Sequence, residues 1–145
     1  MSDDHDRAEF PLIVRFCREG LERAAAGKND EAVASYFAAW ELLPEPREEW
    51  DAAPWILAAV GDVLYRREAF PGALDFFQRA RRCPGGAHNP FVHMRLGQVH
   101  LHLGDHERAR EALMLAVEVG GRDVFRDEDP RWLAWLAPAP EAVSP

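Results

Sequence analysis

Apolar residues recur at three- and four-residue steps through most of this chain, and the recurrence is interrupted at intervals by glycine, asparagine, aspartate and proline. That step is the period of one face of a helix. The pattern is clearest from Asn89 to Val119. Phe91, Met94, Leu96, Val99, Leu101 and Leu103 supply the apolar positions of one helix, and Ala109, Ala112, Leu113, Ala116 and Val117 those of the next. Gly104-Asp105 makes the turn between them. Gly97 and Ala109 are small, which lets the two helix backbones approach where a bulky side chain would hold them apart.

The pattern occurs twice more upstream. A helix starts near Pro11, a residue suited to a first helical turn, carries Leu12, Ile13, Phe16 and Leu21, and ends near Gly27. Asn29-Asp30 is expected to open a second helix by N-capping, with Ala32, Val33, Tyr36, Phe37 and Trp40 on one side and Leu43-Pro44 beyond its end. A third helix runs through WILAAVGDVLYRRE with Pro54 in its first turn, and a fourth from Phe70 to about Arg82 carries Ala73, Leu74, Phe77 and Ala80. In all three pairs a glycine precedes an alanine by 12 residues (32 − 20, 73 − 61, 109 − 97), and a second alanine follows seven later at Ala39, Ala80 and Ala116. The glycines themselves are 41 and 36 residues apart (61 − 20, 97 − 61), so the extra residues lie in the connections EPREEWDAA and CPGGAH. Gly120-Gly121 is expected to end the sixth helix in a left-handed cap, and Asp129-Pro130 to start a short seventh helix. Trp132, Leu133, Trp135 and Leu136 on that helix are too apolar to leave exposed and suit it to cover the open end of the last pair. Residues 1–9 and 138–145 are expected to be disordered.

The spacings His93-x2-Leu96-Gly97-x2-His100 with Ala109-x3-Leu113, Leu57-x2-Val60-Gly61-x2-Leu64 with Ala73-x3-Phe77, and Phe16-x2-Glu19-Gly20-x2-Arg23 with Ala32-x3-Tyr36 and Pro44 resemble the tetratricopeptide repeat (TPR) pattern W-x2-L-G-x2-Y…A-x3-F. Glu19 and Arg23 depart from it, being polar where the pattern wants bulk. The resemblance implies an all-α fold: a right-handed superhelix of three helix-turn-helix repeats at about 11–44, 54–85 and 89–121, with a capping helix at about 129–137, all within one domain, 10–137. It also implies an inner, concave wall drawn from the first helix of each pair. The family's wall positions fall on Val14, Cys17, Arg18 and Leu21, then on Trp55, Ala58, Ala59, Asp62, Tyr65 and Arg66. In the third repeat they fall on Phe91, Met94, Arg95, Gln98, Leu101 and His102. Such a wall suits an apolar partner segment fixed by polar contacts. Trp55 and Phe91 read equally well as packing against the long connections. A clamp for a C-terminal carboxylate is disfavoured, because its positions hold Cys17, Leu21, Ala59 and Phe91, and only Arg95 matches.

Charge and chemistry narrow the function. Seventeen basic and 25 acidic side chains give a net charge of −8, which argues against nucleic acid or an anionic membrane surface as partner and favours a basic one. No apolar run approaches the ~20 residues of a membrane span, and the acidic start MSDDHDRAEF is unlike a signal peptide. Cys17 and Cys83 build no disulfide framework. A cytoplasmic protein is expected. The chain has no threonine, and its serines are Ser2, Ser35 and Ser144; Lys28, its one lysine, lacks the following Ser/Thr of a phosphate-binding loop. His88, His93, His100, His102 and His106 fall within nineteen residues, with His102 and His106 straddling a turn, but no acid or cysteine completes a ligand set. Neither an enzyme, a cofactor nor a metal site is expected.

Finally, LPEPREEWDAAPWILAAVGDVLY, RCPGGAHNPFVHMRLGQ and VFRDEDPRWLAWL resemble bacterial TPR proteins regarded as immunity partners of polymorphic toxins. That resemblance implies a protein that binds a cognate toxin domain and blocks it. Acidic groups such as Glu45, Glu48, Glu49, Asp51, Asp127, Glu128 and Asp129 would then meet a basic surface, or else form an ordinary solvated face. The alternative is a TPR chaperone or adaptor holding an extended segment of a secreted effector or translocator in its groove. The apolar positions on the surface also permit a homodimer.

Overall fold

The periodic stretches form seven α-helices among the residues 9–137 that the structure, a computed structural model, describes. They are α1 (Phe10–Ala25), α2 (Asn29–Leu42), α3 (Ala52–Arg66), α4 (Phe70–Arg82), α5 (Pro90–His102), α6 (His106–Gly120) and α7 (Arg131–Leu136). Short 3-10 helices lie at Arg47–Glu49, Gly86–His88 and Arg122–Phe125, and no strand occurs among the described residues. The terminal stretches expected to be disordered lie outside these residues, apart from Glu9, whose carbonyl accepts the Leu12 and Ile13 amides and opens α1. The backbone divides into two compact units, one up to His88 and one from Asn89. In the first, α1 packs on α2, α3 on α4, and α2 against α3; in the second, α5 packs on α6, and α7 on α6.

Each helix pair closes on one small-to-large fit. Gly20 lies under the Tyr36 ring, Gly61 under the Phe77 ring, and Gly97 under Leu113. The partner is sixteen residues on in every case (36 − 20, 77 − 61, 113 − 97). A Cβ on Gly97 would stand 2.5 Å from Leu113 Cγ, so a larger residue there forces a shift, and one on Gly61 would stand 3.0 Å from the Phe77 ring, which would have to give by a few tenths of an ångström. Alanines complete the contact: Ala32, Ala39, Ala73, Ala80, Ala109 and Ala116 are all 0% exposed. Burying Tyr36, Phe77 and Leu113 in these seats contributes roughly 1.5–3 kcal/mol each.

The turns inside the pairs are equally repetitive. Lys28, Ala69 and Asp105 donate their amides to Arg23, Leu64 and His100 at 2.8–2.9 Å. Just before them, Gly27, Glu68 and Gly104 donate to Ala24, Tyr65 and Leu101 at 2.9–3.0 Å. These paired bonds satisfy the last carbonyls of α1, α3 and α5, and they require a positive φ at the central residue. Gly27 and Gly104 supply it at +78° and +88°; in the second pair Glu68 is held at +62°.

Several helix ends differ from expectation. Asn29 lies inside α2 and its side chain caps nothing; Lys28 is the residue before the helix. Asn89 does cap, accepting the Phe91 and Val92 amides at 2.9 and 3.2 Å, and Asp105 accepts that of Arg108 at 3.1 Å. Gly121 has φ 74° but ψ 174°, so α6 ends in an extended glycine rather than a left-handed helical cap. Asp129 stands one residue before the cap position of α7, which Pro130 holds, yet it still accepts the Arg131 amide at 2.9 Å. The long connection EPREEWDAA is ordered because Arg47 donates to the Trp40 carbonyl at 3.1 Å and the buried Trp50 indole to that of Pro44 at 2.8 Å.

Replacing Glu68 by glycine relieves a left-handed strain that outweighs the extra chain freedom of glycine. The expected outcome is a gain of about 0.5–1 kcal/mol in urea unfolding. A loss of stability would show that the Glu68 side chain, not its backbone, governs the turn.

Candidate functional site

In the first unit the sequence-predicted positions gather on α1 and α3. Leu21 and Trp55 are large apolar side chains, yet 51% and 42% exposed. Arg18 and Arg66 are exposed, and Val14, Asp62 and Tyr65 half-buried. The Trp55 ring meets the Tyr36 ring edge-on, 5.9 Å between centroids, and Tyr65 meets Phe70 in the same way at 5.7 Å. Asp62 and Arg66, one helical turn apart, form an ion pair at 2.8 Å.

Electrostatics tie these groups together. The Tyr36 hydroxyl is pushed above its ordinary pKa by burial first and then by the nearby Asp62 carboxylate, with Arg66 opposing. Gly20 of α1 and Trp55 of α3 thus meet the same Tyr36 ring. Burial pushes the Cys17 thiol up to about 11, and Cys83 is raised by burial and by Glu48. Both thiols are thus held in the protonated, unreactive form. Ser35 is engaged structurally: it donates to the Glu31 carbonyl at 3.1 Å and accepts from the Arg23 guanidinium.

The second unit corrects part of the expected wall. Met94, Arg95 and Gln98 are 1%, 7% and 0% exposed, so none is available to a partner in this arrangement. They are covered by the chain itself, from Arg122 to Leu136. Phe125 buries against a cluster of Met94, Leu113 and Ala116. Glu128 Oε1 accepts from Arg95 Nη1 and from Gln98 Nε2, both at 2.9 Å, and Arg95 also donates to Gln98 Oε1 at 2.7 Å. The Arg95 guanidinium lies 5.0 Å from the centre of the half-buried Phe91 ring.

The histidine cluster serves packing of a kind the sequence did not reveal. His93 is buried and His100 half-buried, but His102 and His106 do not turn toward a common ligand. His102 stacks edge-on to Trp132 at 6.0 Å and His106 lies 6.4 Å from Trp135, whose face carries the Arg110 guanidinium at 4.4 Å. Among the described residues no group of three or more His, Cys, Asp or Glu is gathered as a metal site, and no helix is long and apolar enough to cross a membrane. Of the acidic residues singled out for a basic partner, Glu45, Glu128 and Asp129 are engaged with Arg47, Arg95 and Arg131 at 2.6, 2.9 and 2.8 Å. The Arg131 hydrogen bonds hold the Asp129 carboxyl below its usual pKa.

The polar triad that misled the sequence reading yields a stability test. Glu128→Ala leaves Arg95 buried without its counter-charge, and Arg95→Ala leaves Glu128 without its own; each is expected to cost about 3 kcal/mol. The double replacement Arg95→Met/Glu128→Leu is expected to cost less than either in urea unfolding. Additive losses would mean that the two side chains act independently.

The chain matches no family model, and no curated protein matches it. Among solved structures the crystal structure of MamA, a TPR-like helical protein, is similar, with a TM-score of 0.62 over 86% of this chain and 74% of that one. At 15% identity this likeness concerns architecture alone: the chain has an all-α, TPR-like helical repeat fold.

Proposed function

We propose that this chain is a protein-binding module, and that its partner is a bacterial toxin domain which it binds and neutralises as an immunity protein. The exposure of Leu21 and Trp55 on α1 and α3 carries the first half of the reading. Two large apolar side chains left in water form the kind of anchor that protein interfaces bury. The resemblance of VFRDEDPRWLAWL and its companion stretches to toxin immunity partners, and the charge of −8, support the second half.

Affinity purification from the producing cells, with mass spectrometry of what stays bound in stoichiometric amount, tests it. One folded toxin-like partner whose toxicity is relieved on co-expression supports the reading. A partner that is neither bound nor neutralised rejects it, and capture of an unfolded export substrate instead favours the chaperone alternative.

With the partner in hand, Trp55→Ala is expected to weaken the complex about thirtyfold, the effect of losing an interface anchor worth about 2 kcal/mol. Leu21→Glu is expected to do the same. Calorimetric titration reads both, and unchanged affinity in both variants would move the contact face elsewhere.

A further inference from the structure

We propose that residues 122–136 form a releasable strap over a recognition face on α5 and α6, and that this face takes a partner segment in which an aromatic residue is followed three positions later by a carboxylate. Three observations in the second unit carry this.

The first is the chemistry under the strap. The end of a helical repeat needs only an apolar lid. Here the lid also brings Glu128 onto Arg95 and Gln98, whose side chains are almost wholly buried. A buried ion pair is a weak source of stability compared with apolar packing of equal volume. It is, however, a selective reader of a carboxylate, because a carboxylate matches the guanidinium in both charge and hydrogen-bond geometry. The neighbouring apolar seat of Met94, Leu113 and Ala116 takes an aromatic ring, Phe125.

The second is how the strap is held beyond that contact: Trp132, Leu133, Trp135 and Leu136 pack against the cluster only half-buried. No side chain of α7 is fully buried. A cleft of about 250 Å³, open to solvent, lies among Leu101 of α5 and Asp129, Arg131, Trp132 and Trp135 of the strap, so these side chains keep part of their surface in water. Elements with few buried contacts are those that open first.

The third is the pivot. Gly120 fits against the Pro90 ring, and Gly121 follows it with φ 74° and ψ 174°, a backbone open to glycine and strained for other residues. The helix pair is thus anchored up to the residue where the strap departs.

The strap therefore displays the ligand that its seat accepts, Phe125-x2-Glu128, and acts as the internal competitor for it. A partner's affinity is reduced by the fraction of time the strap is closed. The existence of an outside partner rests on the protein-binding reading above; the strap and its face do not, and the test below addresses them without any toxin.

The probe is a fluorescein-labelled peptide of residues 121–137, titrated with the full chain and read by fluorescence anisotropy. The variant Phe125→Ala/Glu128→Ala is expected to bind it at least about tenfold more tightly than the unaltered protein, because the competitor is disarmed. Adding Arg95→Ala is expected to weaken that binding about thirtyfold, as is placing Gln at the peptide's Glu128 position. Should the double variant fail to fold by circular dichroism, Glu128→Gln alone replaces it with the same expected ranking. The proposal is overturned if the weakened variant binds the peptide no better than the unaltered protein, or if binding ignores both Arg95 and the peptide carboxylate.

Discussion

A glycine pressed against a large side chain sixteen residues further on is the constraint from which this structure follows. At Gly20, Gly61 and Gly97 the two helices of a pair come so close that an added Cβ would crowd Tyr36, Phe77 or Leu113. That contact sets the register of the pair, brings the alanines at 0% exposure into line, and fixes where the intervening turn must fall. The turn then needs a positive φ at a set place, supplied by Gly27, Glu68 and Gly104. One steric requirement thus repeats as three helix pairs with matching hydrogen bonds.

What the pairs leave over is available for recognition. In the first unit α1 carries Leu21 and α3 carries Trp55 and the Asp62–Arg66 pair, with Tyr36 serving at once as the core ring on Gly20 and as a ring partner of Trp55. In the second unit the corresponding positions are roofed by the C-terminal segment, held by one ring, one ion pair and half-buried tryptophans. The pairs are closed by fully buried side chains, whereas the roof beyond Phe125 rests on half-buried ones, the difference on which the proposed opening depends.

Much of this was legible in the chain, and the reason is local. Gly61, Ala73 and Phe77 lie within one helix hairpin, so their spacing records the contact directly; α4 falls on Phe70–Arg82 as its apolar steps indicate. Turn conformations, and contacts made outside the hairpins, were not legible. Glu68 adopts the glycine conformation without a glycine to mark it, and Arg47 and Trp50 order a connection by bonding to backbone carbonyls that no sequence pattern displays. Arg95 and Gln98 stood out as polar residues suited to a groove, because Glu128 lies 33 and 30 residues away. One signal was present: a lone arginine inside the apolar run VHMRLG has to be matched somewhere. The pairing of His102 and His106 with Trp132 and Trp135 likewise depends on a fold that carries α7 back onto α6.

The most direct test of the glycine constraint is the effect of Gly97→Ala in two backgrounds, measured by urea unfolding. In the unaltered protein the added methyl meets Leu113 and the Ala109 carbonyl oxygen, and a loss of about 1–3 kcal/mol is expected although alanine is the better helix former. In a Leu113→Ala background only the Ala109 oxygen, 3.0 Å away, still crowds the methyl, and the same change is expected to cost at least about 1 kcal/mol less. A gain of stability in the unaltered protein, or the same loss in both backgrounds, would contradict the account, because the close approach to Leu113 would then not be what holds the pair.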